Sequence, residues 1–506
     1  MVKRTKFGGI IGALALILSG LFSIIAEIGL GYKLSFFGLF SIPFGFVLIG
    51  IAVLFLGGRI LSHAVKNPKL MTEEQYLHER AINAWTMYDW ANSAFATTIM
   101  AAVLPVYYAS VAAETLAPNV ATAYWGFTSS IAAFIAAVIS PVLGAVADYK
   151  GSKKRFLTIF MLIGVTATAL LYFIQSGDWL LASIFFVFGN VGFAGSLVYY
   201  DALLPHVATP DEIDQVSSRG YAMGYIGGGI LLAVNLAMIM VIPEVVPSLD
   251  AGLMTRLSFI TVAVWWFVFT LPVLLRVKEP TRRIEASEFG FSPLKASFTR
   301  LYNTFKSIRK YRELSLGLFA FWVYSNGIGT IIVMATIYGS ELGFSQTTLI
   351  GTLLMVQFLA APFAFLFGWL SKKIGTKRSI YLSLGIYTLI AIAGYFLYQE
   401  WQFWALGAAV ATVQGGSQSL SRSLIGKMMP KSKSAEFYAF FSVFEKFSSI
   451  LGPALFGVVS TIMGESRLSI VSLLIFFVVG GFLLTKVDVE KGIAVANQEE
   501  QEMVTI

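Results

Sequence analysis

Cysteine is absent from this chain of 506 residues. That excludes a disulfide framework and any thiolate metal site, and it leaves the redox compartment unread. Histidine is scarce: His63, His78 and His206 lie near loops and have no metal-ligand spacing. Charge is sparse as well. Asp, Glu, Lys and Arg make up 13% of the chain, against about 25% in a typical soluble domain. A soluble protein of this length would need more charge to cover its core. Phosphate-binding loops, zinc signatures and nucleophile–base arrangements are missing too, so the sequence offers no motif for ATP-driven work or catalysis. No cofactor, no metal and no enzyme activity is expected. What the chain has is apolar sequence. Hydrophobic residues make up 57% of it. They fall in runs that approach or exceed the roughly 20 residues a helix needs to cross a bilayer. The short alternating segments of transmembrane strands do not occur.

Fourteen candidate helices follow from these runs. Two lie at about 7–31 and 35–62, and the first reads as an uncleaved span, being too long for a signal-peptide core. Six more lie at about 83–110, 121–148, 154–175, 179–205, 215–243 and 254–277. After a polar linker, the last six run at about 314–340, 346–372, 377–399, 401–429, 435–463 and 467–486. The expected organisation is an extra N-terminal helix pair (1–64), a six-helix bundle (65–277), a linker (278–313), a second six-helix bundle (314–487) and a tail (488–506). An amphipathic surface helix is conceivable around Leu294–Ile308.

The formal charge of +8 does not point to nucleic acid, because the basic residues sit in short loops between apolar runs. One set holds Lys150, Lys153, Lys154 and Arg155, then Lys372, Lys373, Lys377 and Arg378, then Lys427, Lys431 and Lys433, together with the basic linker. The opposite set has mainly Glu114, Asp178, Glu244, Glu341, Glu400 and Glu465. Basic loops stay in the cytoplasm, so both termini and the linker are expected there.

One loop occurs twice. Gly144–Lys154 reads G-A-V-A-D-Y-K-G-S-K-K, and Gly368–Arg378, displaced by 224 residues, reads G-W-L-S-K-K-I-G-T-K-R. Glu212 and Glu436 fall on the same offset. A repeated half of six helices around a central linker is how many transporters are built. The loop resembles the signature of the major facilitator superfamily, with two departures: Tyr149 stands where the signature has a basic residue, and Lys372 stands in place of the aspartate that matches Asp148. A narrower resemblance rests on three blocks in order: Tyr88–Phe95 (YDWANSAF), Val216–Gly229 (VSSRGYAMGYIGGG) and Gln414–Ser423 (QGGSQSLSRS). Together they look like a bacterial-type member of the vacuole-effluxer, autophagy-related family. That resemblance implies an all-α polytopic fold of two six-helix bundles, here with two extra N-terminal helices. It also implies a small-molecule substrate such as the amino acids associated with fungal members; a bacterial inner (plasma) membrane setting and a monomer are expected alongside it.

Polar residues inside the spans each need a reason, since a charge at the bilayer centre costs about 2.5–3.5 kcal/mol on insertion scales. Asp89, Asn92, Asn326, Gln414, Gln418 and Glu445 are the candidate substrate contacts. The bland alternative for the amides is interhelical hydrogen bonding. Asp148, Lys150, Lys153, Lys154, Asp201, Arg219, Lys372, Arg422 and Lys446 are candidates for a charge network that closes the cytoplasmic side, and Asp89 suits either role. Gly220, Gly224 and Gly228 put small residues on one helix face for close packing. Aromatic residues are expected mostly to face lipid or to sit at membrane interfaces. The expected function is secondary transport by alternating access, with coupling to protons through Asp89 or Glu445 left open. A non-transporting receptor or scaffold and a lipid or lysolipid transporter are the alternatives.

Overall fold

The computed structural model describes residues 69–246, 248–281, 310–463 and 466–502, short pieces at 2–4, 283–284 and 504–505, and isolated linker positions. The expected N-terminal helix pair and the amphipathic linker helix lie outside the described residues.

Twelve long helices make up the described structure. They are α1 (Glu73–Ala112), α2 (Pro118–Lys150), α3 (Lys153–Leu170), α4 (Trp179–Val207), α5 (Ile213–Met240) and α6 (Ala251–Arg276), then α7 (Arg312–Glu341), α8 (Gln346–Ile374), α9 (Thr376–Tyr395), α10 (Glu400–Met428), α11 (Ser434–Met463) and α12 (Ser466–Ser472 continued by Leu474–Thr485). Ten of them are long and apolar enough to cross a membrane. The other two are α9, which opens on Lys377 and Arg378, and α10, which carries Gln414, Gln418 and Arg422 along its length. A shorter helix, α13 (Val489–Glu502), follows. Two small antiparallel pairings complete the description, Val2–Arg4 with Lys69–Met71 and Arg283–Ile284 with Val504–Thr505.

Local chemistry sets the helix ends. α1 starts ten residues before its apolar run because Thr72 and Gln75 form a reciprocal capping box, which satisfies two free amides of the first turn. Further along, α1 widens into π-helical turns at Phe95–Ala102. Pro105 supplies the reason, since it has no N–H and its ring crowds the carbonyl four residues back. Both copies of the repeated loop turn at a glycine with positive φ, Gly151 at 60° and Gly375 at 91°, a region that a side chain disfavours.

The helices pack as the repeat requires. In the first set α1 lies on α5 and α6, α2 on α4, and α3 on α4; in the second, α7 lies on α11 and α12, α8 on α10, and α9 on α10. The two sets meet where α2 packs on α11 and α5 on α8, with α4 and α5 also touching α11 and α10. Large apolar side chains such as Phe127, Phe134, Leu275, Leu389 and Phe482 are exposed around the outside, a surface that suits hydrocarbon rather than water. The aromatics depart from expectation. Trp85, Trp266 and eight tyrosines are among the largest fully buried side chains, because their rings fill helix–helix space. Several polar ends find hydrogen bonds there, as Trp85 does with Tyr200 O and Tyr338 with Gly394 O, while Tyr88, Tyr387 and Trp266 find none among the described residues.

Candidate functional site

Three features meet at the seam between the two helix sets. They are described from the end where α6 finishes and α7 begins, here called the linker end.

Asp148 closes the end of α2 over the start of α11. Its Oδ2 accepts the Glu436 backbone N–H at 2.9 Å, and its Oδ1 lies 2.6 Å from the buried Lys153 Nζ. A carboxylate at a helix N-terminus satisfies a free amide and complements the helix dipole. Gly144 allows this approach: a Cβ there would sit 2.6 Å from the Ala435 carbonyl oxygen. In the second copy Lys372 is exposed, and the acid comes from the other partner. Asp214 on α5 accepts from Thr376 Oγ1 at 2.6 Å and Ser423 Oγ at 2.6 Å, and pairs with Lys427 Nζ at 2.7 Å. Gly368 gives that contact its room, since a Cβ there would lie 2.7 Å from the Ser218 Cβ.

Deeper in, Arg422 of α10 crosses the seam. It lies about 9 Å from the α10 terminus at 1.5 Å per residue. Its Nη1 is 3.0 Å from Asp201 Oδ1 on α4, and its Nη2 is 3.2 Å from Asp89 Oδ2 on α1. Nε donates to Ser217 Oγ at 2.9 Å, and Nη2 also donates to the Ser217 carbonyl at 2.9 Å. The rings of Tyr221, Trp85 and Tyr200 lie 4.4, 5.0 and 5.5 Å from its Cζ. Tyr200 OH donates to the same Asp89 oxygen at 2.8 Å. A buried arginine is tolerable when its planar donors are filled and counter-charges lie beside it, and both conditions hold here. Ser218 and Ser419 hydroxyls 3.0 Å apart, and Tyr225 OH donating to Gln418 Oε1 at 2.8 Å, extend the seam inward.

Beyond Arg422 lies a cavity of about 160 Å³. Tyr221 contributes from α5, Tyr324 and Ser325 from α7, Gln418 and Ser421 from α10, and Glu445 from α11. Tyr324 OH and Ser421 Oγ are 2.5 Å apart on its wall. A carboxylate, an amide and several hydroxyls in one apolar-framed pocket can orient a small polar solute.

The nominated residues therefore divide. Gln418 and Glu445 reach this cavity, whereas Gln414 lines a separate, mostly apolar cavity of about 130 Å³ within the second helix set. Asn92 is buried with no hydrogen-bond partner for its Nδ2, and Asn326 donates back to Trp322 O at 2.6 Å; neither lines either cavity. Asp89, Asp201 and Arg422 form one cluster. Arg219 instead bonds Asn83 through its Nη2, Lys154 Nζ donates to Val277 O at 2.6 Å, Lys150 is exposed, and Lys446 lies over the Phe193 ring at 5.8 Å. The three glycines face α1. A Cβ on Gly220 would strike Asp89 Oδ2, one on Gly224 would lie 2.6 Å from Ser93 Oγ, and one on Gly228 would lie 2.9 Å from Thr97 Cγ2. Sequence reasoning did not nominate Trp85, Tyr200, Tyr221, Ser217, Asp214 or Ser419. The four-residue spacing of Ser217, Tyr221 and Tyr225 was the available signal. Among the described residues, no group of three or more histidine and carboxylate side chains comes together as a metal site would.

Outside the spans, α13 docks on the linker end. Glu499 pairs with Lys433 at 2.8 Å and with Lys310. Burial raises the Glu499 pKa, but the Lys433 charge and the hydrogen bonds from Lys310 and Lys433 outweigh it and hold the carboxyl at about 2.

The chain resembles proteins of known kind along nearly all of its described length. Residues 117–497 match the family model described as vacuole effluxer Atg22 like. The uncharacterized MFS-type transporter YxiO of Bacillus subtilis (strain 168) is 39% identical over 425 residues, covering 82% of this chain and 97% of that protein. Autophagy-related protein 22-1 of Penicillium rubens is 25% identical over 453 residues, covering 72% of this chain and 75% of its own. Among solved structures, the proton:xylose symporter XylE superposes with a TM-score of 0.62 at 13% identity, covering 84% of this chain and 98% of XylE. The transporter FucP does so with a TM-score of 0.61 at 14% identity, covering 81% and 98%. These structural likenesses carry the fold alone. With a transporter fold, apolar outer faces and a family match across more than half its length, this multi-pass membrane protein belongs to the vacuole effluxer family of the major facilitator superfamily.

Proposed function

We propose that the protein is a secondary transporter that moves a small polar metabolite by alternating access, holding it between the two helix sets beside Glu445 and Gln418. One observation carries the reading: the cross-seam bonds of Asp148, Asp214, Arg422 and Ser218 lie on the linker-end side of the cavity, and Tyr225 bonds Gln418 on its wall. A cavity sealed from one side by reversible ionic bonds is what a rocking mechanism needs. In this reading residues 65–277 and 314–487 are the two rocking bundles, and the linker end faces the cytoplasm, as its basic loops favour. An amino acid suits the cavity, since Glu445 can take an ammonium group while the hydroxyls and Gln418 take polar ends. Glu445 is also where we place a coupling proton, as the carboxylate that lines the cavity.

The test is uptake into proteoliposomes for solutes first found by thermal shift, because a bound ligand stabilises the folded state by mass action. Uptake that is abolished in Glu445→Gln and driven by an imposed pH gradient supports both the site and the coupling. Uptake insensitive to the gradient removes proton coupling, and uptake unchanged in both Glu445→Gln and Gln418→Ala removes the site.

A further inference from the structure

The two helix sets treat one position of the repeat in opposite ways. In the first, the Asp148 carboxylate takes the Glu436 amide at the start of α11. Counted by the repeat, the counterparts are Lys372 at the end of α8 and Glu212 at the start of α5. A lysine has donors only and cannot accept an amide hydrogen. At that place the structure opens a cavity of about 560 Å³ between α1, α5 and α8.

Arg219, Lys372 and Lys373 line this cavity, together with Glu79, Glu212 and Trp369. Glu212 is already engaged, with His78 Nε2 2.6 Å from its Oε1 and the Thr209 N–H donating to it at 2.8 Å. Arg219 spends its Nη2 on Asn83, while its Nε is buried with no hydrogen-bond partner. Three cations therefore share the space with two carboxylates, Glu212, engaged as above, and Glu79, whose charge acts on Arg219. At the rim Trp369 is 55% exposed, and Lys373 Nζ lies 5.9 Å from the centre of its ring.

We propose that this cavity binds a phosphate-bearing anion beside Lys372, the position at which the first copy of the repeat carries Asp148. Arginine supplies a planar donor set that matches phosphate oxygens, and the lysines supply charge. The exposed Trp369 suits the interfacial part of a phospholipid, as indole does at membrane surfaces; a free phosphate would use the charges alone. The site stands apart from the solute cavity and does not rest on the transport reading.

The experiment uses the full-length protein, delipidated in detergent, in two arms. In one it is placed in nanodiscs of phosphatidylcholine with or without phosphatidylglycerol, and retained lipid is read by native mass spectrometry. In the other it is titrated with inorganic phosphate against sodium chloride at equal ionic strength, and the thermal midpoint is read. Lys372→Asp, which restores the acid of the first copy, and Lys373→Gln, a change at a partly exposed side chain, are carried through both. Retained phosphatidylglycerol that falls about tenfold or more in either variant assigns the site to a lipid headgroup, tenfold being the loss of one charge-assisted contact. A phosphate-specific rise in midpoint lost in both variants assigns it to a free phosphate group. Binding in neither arm, or binding that both variants keep, overturns the proposal.

Discussion

Arg422 reaches from α10 to Asp201 on α4 with 3.0 Å between Nη1 and Oδ1, and so ties one helix set to the other by a buried ion pair. The same guanidinium holds Asp89, so removing it leaves two carboxylates buried in each other's company. Breaking a buried pair from one side costs about 3–5 kcal/mol. Arg422→Gln should therefore open the linker end and stop transport. Arg422→Lys keeps the charge but loses the fork, and should fall between. Spin labels on α4 and α10 at the linker end should report a longer separation in Arg422→Gln; an unchanged distance distribution would show that the pair does not hold the seam shut.

Gly220 is the point at which α5 presses on that pair. A methyl group there would meet Asp89 Oδ2, Arg422 Nη2 at 3.0 Å and Trp85 Cζ3 at 3.1 Å. Gly220→Ala should cost about 1–3 kcal/mol by overpacking and should disturb the ion pair as well. Gly126, whose Cβ would meet nothing within 4 Å, is the control: Gly126→Ala should hold or slightly raise stability, because alanine is the better helix former. Thermal unfolding of the two variants in the same detergent decides the matter.

How much of this was readable beforehand depends on range. Apolar runs, the basic loops and the 224-residue offset are local or periodic signals, and they located the twelve long helices, all but the start of α1 to within about five residues. α1 began earlier than expected because its first turns, Glu73 to Ala81, are polar and held by the Thr72 cap rather than by lipid. α13 was invisible as a helix because its sequence is short and polar; Gly492 against Met428 and Glu499 between two lysines are what fix it. Glu445 and Arg422 stood out as charges in apolar sequence. Asp89 and Asp201 stood out in the same way, but their pairing with Arg422 did not, since Asp89 and Arg422 are 333 positions apart and only the packing of α1, α4, α5 and α10 joins them. Tyr221 and Tyr324 are ordinary residues for a span, so nothing local marks them as cavity walls.

The tail clamp predicts a pH window. Glu499 is held at about 2 in the folded protein, below its ordinary value near 4.5. Its contribution is complete above that ordinary value and is lost as pH falls towards 2. Lys310 is raised: burial lowers it, but the Glu499 hydrogen bond and charge outweigh that. Its contribution is complete below about 10.4 and is lost as pH rises through its elevated value. Hydrogen exchange in Val489–Glu502 should therefore stay slow and flat from about pH 5 to pH 9 once the intrinsic rate is removed. Glu499→Gln should speed it about tenfold or more, since Lys433 loses its buried partner. Equal protection in the variant would show that α13 is held by its other contacts, such as Glu500 with Ser432 and Gly492 against Met428.

A chain without cysteine makes the closing of the linker end directly testable. Ser218 Oγ on α5 and Ser419 Oγ on α10 lie 3.0 Å apart across the seam. The Ser218→Cys, Ser419→Cys double variant should oxidise to a single disulfide, because no native thiol competes and a short separation between the side-chain ends is what the bond requires. If the linker end must part for each turnover, the oxidised protein should not transport, a reductant should restore it, and each single variant should behave as the parent under the same oxidant. Binding should survive the lock, because the cavity beside Glu445 lies beyond Arg422 and does not need the linker end open. Loss of transport with retained binding is the signature of a gate rather than of a damaged site. Full-rate transport by the locked protein would mean that α5 and α10 stay together throughout, and that the Arg422 cluster is a fixed strut.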